Sequence, residues 1–346
     1  MRSKRQITTV SVHVGGEPSE IIIGGVLPPP GRTMFDRMQH MAKHQDHIRR
    51  FLMLEPRGSV THCINLVTPS THPDCAAGVI IMEPTEYVPM SGSNTIATVT
   101  VLLETGMIEM IEPVTRFNLD TAAGPIRIEA HCKDGECLKV ELTNVPCFPI
   151  ALDVPIEVEG FGTVMTDIAY GGMIYAIADA VSLGFSLEPR EGRELSEAGE
   201  KLRRAAREQF PCRHPENPEI RDVTIVSLVQ PFQGVGQASR NAVIVSPGRL
   251  DRSPTGTAMS ARMAVLHARG QMKVGDMFVN QSVIRSSFEG RITAETTVAG
   301  RPAIIPSIAG RAWITGTHNY FLDPSDPYPE GYLLSDTWGV TGKAEQ

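Results

Sequence analysis

The sequence has no surplus of positive charge. Its 32 Lys and Arg residues stand against 39 Asp and Glu, a formal net charge of −7. Nothing in that balance points to nucleic acid as a partner. Long hydrophobic runs are also missing. None approaches the ~18 residues that would mark a membrane span. The basic start, MRSKRQITTVSVHVGGEP, has no apolar stretch of signal-peptide length behind it, so a cytoplasmic protein is the expectation. Cysteine is sparse, at 63, 75, 132, 137, 147 and 212. The one close pair, Cys132 and Cys137 in HCKDGEC, has no second pair to complete a zinc site. No metal is expected, and reduced thiols are. What is present is a globular composition, 41% apolar and 21% charged, over 346 residues. That length suits two domains of ordinary size.

Strand-like alternation fills most of the first 90 residues: ITTVSVHV, SEIIIGGVL, HCINLVTP and AGVIIMEP. It is interrupted by FDRMQHMAKHQDHIRRFLMLEP, where Phe35, Met38, Met41, Ala42 and Ile48 recur at near-helical spacing. One exposed helix is expected there. A helix then starts at Ser91 and ends at Gly106, followed by strands in RFNLDT, IRIEAHC and LKVELTNV with DGE as a turn. A second cycle begins near 150. It has strands in VPIEVEG and TVMTDIAYGG, a charged helix through SEAGEKLRRAAREQF, and strands in VTIVSLV and NAVIVSP. A helix from Thr255 to Arg269 follows, closed by Gly270. More strands precede a Pro-rich, polar tail expected at the surface.

Residues 91–107 and 255–271 align at a constant offset of 164. Gly92 falls on Gly256, Ala97 on Ala261, Val101 on Val265 and Gly106 on Gly270. Ser91 falls on Thr255, and Ser93 on Thr257. The first helix is apolar on nearly every side and the second mostly so, which requires burial. The expectation is an α/β (α+β) fold of two pseudo-symmetric domains, each a sheet or barrel wrapped around a central helix. The first spans 1–150, completed by 318–346, and the second spans 151–317. A helix N-terminus presents unpaired N–H groups and partial positive charge. Two such starts, with glycines that let a ligand approach, could bind a carboxylate from either side of an interdomain cleft. Helix capping by Ser and Thr is the alternative reading.

The stretches HVGGEP (13–18), MLEPRG (53–58), MSGSNTIA (90–97), LDTAAG (119–124), DIAYGG (167–172), HPENPEIRDVT (214–224), DRSPTGTAMSARMA (251–264), AIIPSIAGRAWITG (303–316) and FLDPSDP (321–327) together resemble the proline racemase superfamily, with its diaminopimelate-epimerase-like fold. The resemblance spans nearly the whole chain. It implies a homodimer acting on a proline-type imino acid, without cofactor, metal or pyridoxal phosphate. In that family two cysteines flank the substrate α-carbon, one in M-C-G-H and one in DRSP-C-GT. This chain has Ser91 and Thr255 at those positions, and Ser93 in place of the histidine. The resemblance makes Ser91 and Thr255 the catalytic pair. It makes Gly92, Ser93, Asn94, Asp251, Gly256 and Thr257 substrate-binding residues.

Inversion by two bases needs two groups that exchange protons near neutral pH. A thiol does so because its pKa, about 8.5, drops at a helix N-terminus; an alcohol is a far weaker acid. Threonine at the second position resembles the trans-3-hydroxy-L-proline dehydratases. Their reaction removes one α-proton and loses the 3-hydroxyl, giving Δ1-pyrroline-2-carboxylate. The expected function is therefore dehydration of trans-3-hydroxy-L-proline or a close analogue. The alternatives are hydroxyproline 2-epimerase or proline racemase, and a non-catalytic imino-acid binder. Asp251 either binds the substrate nitrogen, pairs with Arg252 or caps its loop. His13 reads as a core or dimer residue, and Glu55 with Arg57 as an ion pair or cleft wall. Tyr170 either lines the pocket or packs. Gly171 and Gly172 give either close ligand approach or a turn, and His267 reads as a packing residue.

Overall fold

The computed structural model describes residues 3–338. The chain divides into two compact units, one drawn from Met1–Glu141 and Arg311–Gln346, the other from Leu142–Gly310.

In the first unit the chain runs through β1 (Arg5–Val14), β2 (Glu17–Gly24), α1 (Met34–His44), α2 (Asp46–Met53), β3 (Cys63–Thr68), β4 (Ala77–Met82) and β5 (Tyr87–Val88). It continues through α3 (Gly92–Glu104), β6 (Val114–Thr121), β7 (Gly124–Lys133) and β8 (Glu136–Thr143), which leads out of the unit. The second unit holds β9 (Phe148–Val158), β10 (Gly162–Tyr170), β11 (Ile174–Asp179), α4 (Gly192–Gln209), β12 (Ile225–Val229), β13 (Ala238–Val245) and β14 (Arg249–Leu250). There follow α5 (Gly256–Ala268), β15 (Met277–Gln281), β16 (Ser287–Val298) and β17 (Arg301–Gly310). The first unit regains β18 (Ala312–Leu322) and α6 (Ser335–Trp338).

The two units share one strand plan. In the first, β18, β1 and β2 run antiparallel in turn, β2 pairs parallel with β3, and β3 antiparallel with β4. β4 then pairs antiparallel with β5 and parallel with β6, which pairs antiparallel with β7. In the second, the same sequence of pairings links β9, β10, β11, β12, β13, β14, β15 and β16. In both, the parallel crossover between the third and fourth strands of the plan carries helix, α1 and α2 in one and α4 in the other. The apolar helix lies between the short strand and the next long one. α3 packs on β1, β2, β3 and β18, and α5 on β9, β10, β11, β16 and β17.

Burial explains why α3 is apolar nearly all round and α5 mostly so. Every residue of α3 from Gly92 to Leu103 is buried, as are ten of the thirteen in α5. Each buried Val, Leu or Ile contributes about 1.5–3 kcal/mol. Such helices form because tertiary burial outweighs the modest helix propensity of Thr and Val. Gly106 and Gly270, both at positive φ, end them as αL residues.

Two expectations are corrected. The charged stretch after 33 is not one exposed helix but two. Thr33 and Asp36 form a capping box at the start of α1. The chain leaves helical geometry at Gln45, with φ −132° and ψ 17°, and restarts at Asp46. Met34, Met38, Met41, Ile48, Phe51, Leu52 and Met53 are buried in the core of the first unit; the exposed charges belong only to the outer face. The tail is also more than surface chain. Tyr332 bridges to Glu55, and Trp338 is buried in that same core. Among the described residues, no helix is long and apolar enough to cross a membrane.

Candidate active site

Ser91 sits at the N-cap of α3 in extended geometry, φ −145° and ψ 126°. Its hydroxyl makes no capping bond to its own helix. Instead its Oγ accepts a hydrogen bond from Nδ2 of Asn94 at 3.0 Å, with Oγ of Ser93 at 3.4 Å. Ser91, Ser93 and Asn94 are all buried. Asn94 is also held at its other end, where its Oδ1 accepts from Asn65 Nδ2 at 2.9 Å and from the Ser19 hydroxyl at 3.2 Å. Gly92 opens the first turn without a side chain.

Thr255, in the second unit, is built differently. It lies at φ +58° and ψ 101°, a region that costs a β-branched residue on the order of 1–3 kcal/mol and concentrates at functional positions. Its hydroxyl donates a hydrogen bond to Oδ2 of Asp251, and its amide donates to Ser253 Oγ at 3.1 Å. Asp251 Oδ1 accepts the Ser253 amide at 2.8 Å. This buried carboxylate, 7% exposed, is thereby bound by an amide and a hydroxyl, charge-assisted bonds that offset its desolvation. Thr255 also makes no capping bond to its own helix, so the capping alternative describes neither helix start.

Around these residues, Thr257 Oγ1 lies 2.6 Å from the Tyr175 hydroxyl. Asn241 Nδ2 donates to the Pro254 carbonyl at 3.0 Å and Asn280 Nδ2 to the same oxygen at 3.4 Å. A Cβ at Gly171 would stand 2.2 Å from the Thr257 carbonyl oxygen and 2.6 Å from the Ala261 amide nitrogen. Gly171 thus lets the β10–β11 turn press against the start of α5, while Gly172 supplies a positive φ of 112°.

Ser91, Gly92, Ser93 and Asn94 thus share the start of α3, and Asp251, Thr255, Gly256 and Thr257 the start of α5. Other candidates have structural surroundings. His13 stacks on Trp313 with centroids 5.1 Å apart. Arg57 pairs with Asp326 at 2.7 Å, donates to the Tyr328 carbonyl and covers Phe51, clamping the C-terminal segment. Glu55 accepts from the Thr337 hydroxyl at 3.2 Å. Tyr170 packs on Phe148 and His214, and burial pushes its phenol up. His267 lies 3.0 Å from Glu295. Ser19, Asn65, Tyr175, Asn241 and Asn280 were missed. Their one sequence signal is a polar side chain inside an apolar strand, as in Ile64-Asn65-Leu66. That signal says nothing about the partner.

A family model described as proline racemase matches residues 9–333. A hydroxyproline epimerase from Agrobacterium vitis, solved with trans-4-hydroxy-L-proline bound, is 42% identical to this chain with a TM-score of 0.93, covering 98% of this chain and 99% of its own. A probable proline racemase from Agrobacterium radiobacter, solved with carbonate bound, is also 42% identical with a TM-score of 0.92, covering 96% and 98%. A predicted epimerase from Pseudomonas aeruginosa shares the fold at 12% identity and a TM-score of 0.57, covering 92% and 99%. The mixed α/β, epimerase-like fold follows from these likenesses.

Proposed function

The chain belongs to the proline racemase family, and we propose that within it the protein removes the α-proton of a hydroxylated proline and eliminates water. The substrate of this reading is trans-3-hydroxy-L-proline or a close analogue. Ser91 is the base. As it takes the α-proton, the electrons of the Cα–H bond form a double bond to C3. The 3-hydroxyl departs as water with the proton that the Ser91 hydroxyl gives up as it takes the α-proton. The cyclic enamine then tautomerises to Δ1-pyrroline-2-carboxylate. Gly92, Ser93, Asn94, Gly256 and Thr257 serve the carboxylate, and Asp251 with Thr255 supply hydrogen-bonding oxygens.

The observation that carries this reading is the Thr255 hydroxyl bound to Asp251. Inversion requires a second group that delivers a proton to the opposite face of the carbanion. An alcohol is a weak acid, and this one already donates its proton to a buried carboxylate. Elimination needs no such delivery. One proton is removed, and the far face of the α-carbon is never reprotonated.

Epimerisation at the α-carbon is the second reading. It is favoured by the 42% identity over nearly the full length to a hydroxyproline epimerase. Nuclear magnetic resonance in deuterated water separates the two, with proline, 3-hydroxyproline and 4-hydroxyproline isomers as substrates. Pyrroline-2-carboxylate from the trans-3-hydroxy isomer alone, abolished by Ser91→Ala, is the expected result. Deuterium at the α-carbon with inversion establishes the epimerase instead. No turnover of any isomer leaves neither reading standing.

A further inference from the structure

An alcohol serves as a base only where negative charge on its oxygen is stabilised. The side chains around Ser91 provide for that through a chain of fixed polarity. Asn65, on β3, points both Nδ2 donors inward: one to Asn94 Oδ1 at 2.9 Å and one to Ser19 Oγ at 2.8 Å. Ser19, on the neighbouring β2, places its hydroxyl 3.2 Å from the same Asn94 oxygen and 3.3 Å from the Cys63 carbonyl. With donors directed at Oδ1, the Asn94 amide has one orientation, and its Nδ2 is the end that meets Ser91 at 3.0 Å. The Ser91 oxygen is therefore an acceptor, and its proton is turned away from Asn94.

The network is buried throughout. Asn65 is fully buried and Ser19 and Asn94 nearly so. Asn65 Oδ1 has no hydrogen-bond partner among the described residues. A buried acceptor left unpaired is costly, and an apolar residue at this strand position would avoid that cost. What Asn65 contributes lies at its nitrogen. A hydrogen bond received by an oxygen strengthens when that oxygen becomes charged, more so in a low-dielectric interior.

We propose that Asn65 and Ser19 are positioning residues that lock the Asn94 amide with its N–H toward Ser91 and so stabilise negative charge on the Ser91 oxygen. The proposal rests on the reading of Ser91 as the base, so its test begins with a quantity that needs no substrate. In the full-length protein, Ser91→Cys places a thiol at the head of the network. Its titration is read from the pH dependence of iodoacetamide alkylation, resolved by peptide mass spectrometry. Adding Asn65→Leu should raise that thiol's pKa on the order of one unit. Adding Ser19→Ala should raise it less, because the Ser19 proton is shared with Cys63. Thr95→Val is the control. Thr95 is equally buried, adjacent on α3, and its hydroxyl has no partner among the described residues; the thiol should not shift.

In the enzyme that keeps Ser91, Asn65→Leu should lower kcat for trans-3-hydroxy-L-proline about tenfold, with KM changed less than twofold. An unmoved thiol pKa in both Asn65→Leu and Ser19→Ala overturns the proposal, as does an equal shift in Thr95→Val. If Asn65→Leu does not fold, Ser19→Ala decides alone. Failure of the underlying reading looks different: Ser91→Ala then retains turnover, whatever the thiol reports.

Discussion

Ser91 and Thr255 occupy the same place in two copies of one strand plan, yet their oxygens are bonded with opposite polarity. Ser91 receives an N–H from Asn94; Thr255 gives its proton to Asp251. The partners stand at different points along the repeat. Position 94 is asparagine where its counterpart 258 is alanine, and position 251 is aspartate where its counterpart 87 is tyrosine. The backbones differ too, extended at Ser91 and in the left-handed region at Thr255. A duplicated scaffold thus repeats the helix start while each copy supplies its own chemistry from outside the aligned hydroxyl. An oxygen that accepts is prepared to carry charge. One whose proton is engaged by a carboxylate is prepared to hold a polar ligand group in place.

If that difference governs the chemistry, the two positions respond unequally to deletion. Ser91→Ala should lower turnover by about 10³-fold, within the range of lost general-base catalysis. Thr255→Val should lower it by only about tenfold. The measurement is the initial rate of pyrroline-2-carboxylate formation, followed by proton resonances. Equal losses at the two sites would restore a symmetric, two-base reading.

The asymmetry can also be removed by substitution. Thr255→Cys exchanges the alcohol for a thiol whose pKa, about 8.5, falls further at a helix N-terminus. This variant should incorporate solvent deuterium at the α-carbon of 4-hydroxyproline, with inversion, at least tenfold above the parent. No exchange above the parent would show that acidity at 255 is not what withholds inversion.

How these features were written in the sequence differs between scaffold and site. The two central helices were legible because a run such as ATVTVLL is apolar on all sides and a glycine closes it. Those are local signals, backed by burial of nearly every side chain. The break at Gln45 was not legible, since the apolar spacing from Met34 to Ile48 passes through it with almost no change of phase. The docking of Trp338 was hidden for another reason: the aromatics of the Pro-rich tail, Tyr328, Tyr332 and Trp338, follow no helix or strand period. At the site, Ser91 and Thr255 stood out by their alignment and by the resemblance to the proline racemase family. Asn65 and Ser19 did not, because their meaning lies in a meeting with Asn94 across 29 and 75 residues of chain.

The two starts also lean on different supports, a side-chain amide for α3 and the backbone of the β10–β11 turn for α5. Gly171→Ala tests the second support. Its new Cβ would meet backbone atoms at 2.2 and 2.6 Å, and neither can rotate away. Overpacking of this kind costs about 3 kcal/mol, so Tm should fall by several degrees. Hydrogen exchange should quicken in the first turn of α5 and stay unchanged in α3. An unchanged Tm would mean that the turn is free to withdraw, and that α5 does not depend on it.

The smallest expected effect is one of pH, and it falls on the same side. His214 packs edge-on against Tyr170 at the end of β10, with centroids 4.6 Å apart. Its Nδ1 accepts the amides of Glu216 and Asn217, each at 3.2 Å. Burial lowers its pKa from the ordinary 6.5, against a smaller opposing pull from Glu216. The folded state therefore holds this proton less readily than the unfolded chain. The stabilisation is complete above pH 6.5 and is lost as pH falls from there through the lower, folded value. Protonation turns Nδ1 from acceptor to donor and breaks both amide bonds. Between pH 7 and 5, protection of the backbone amides against hydrogen exchange, relative to their intrinsic rates at each pH, should thus fall more at the end of β10 than at the end of β1. His214→Asn keeps an acceptor oxygen within reach of the two amides but cannot titrate, so the extra acid sensitivity of β10 should vanish in that variant. If β10 remains as acid-sensitive as before, the proton that loosens it is bound elsewhere.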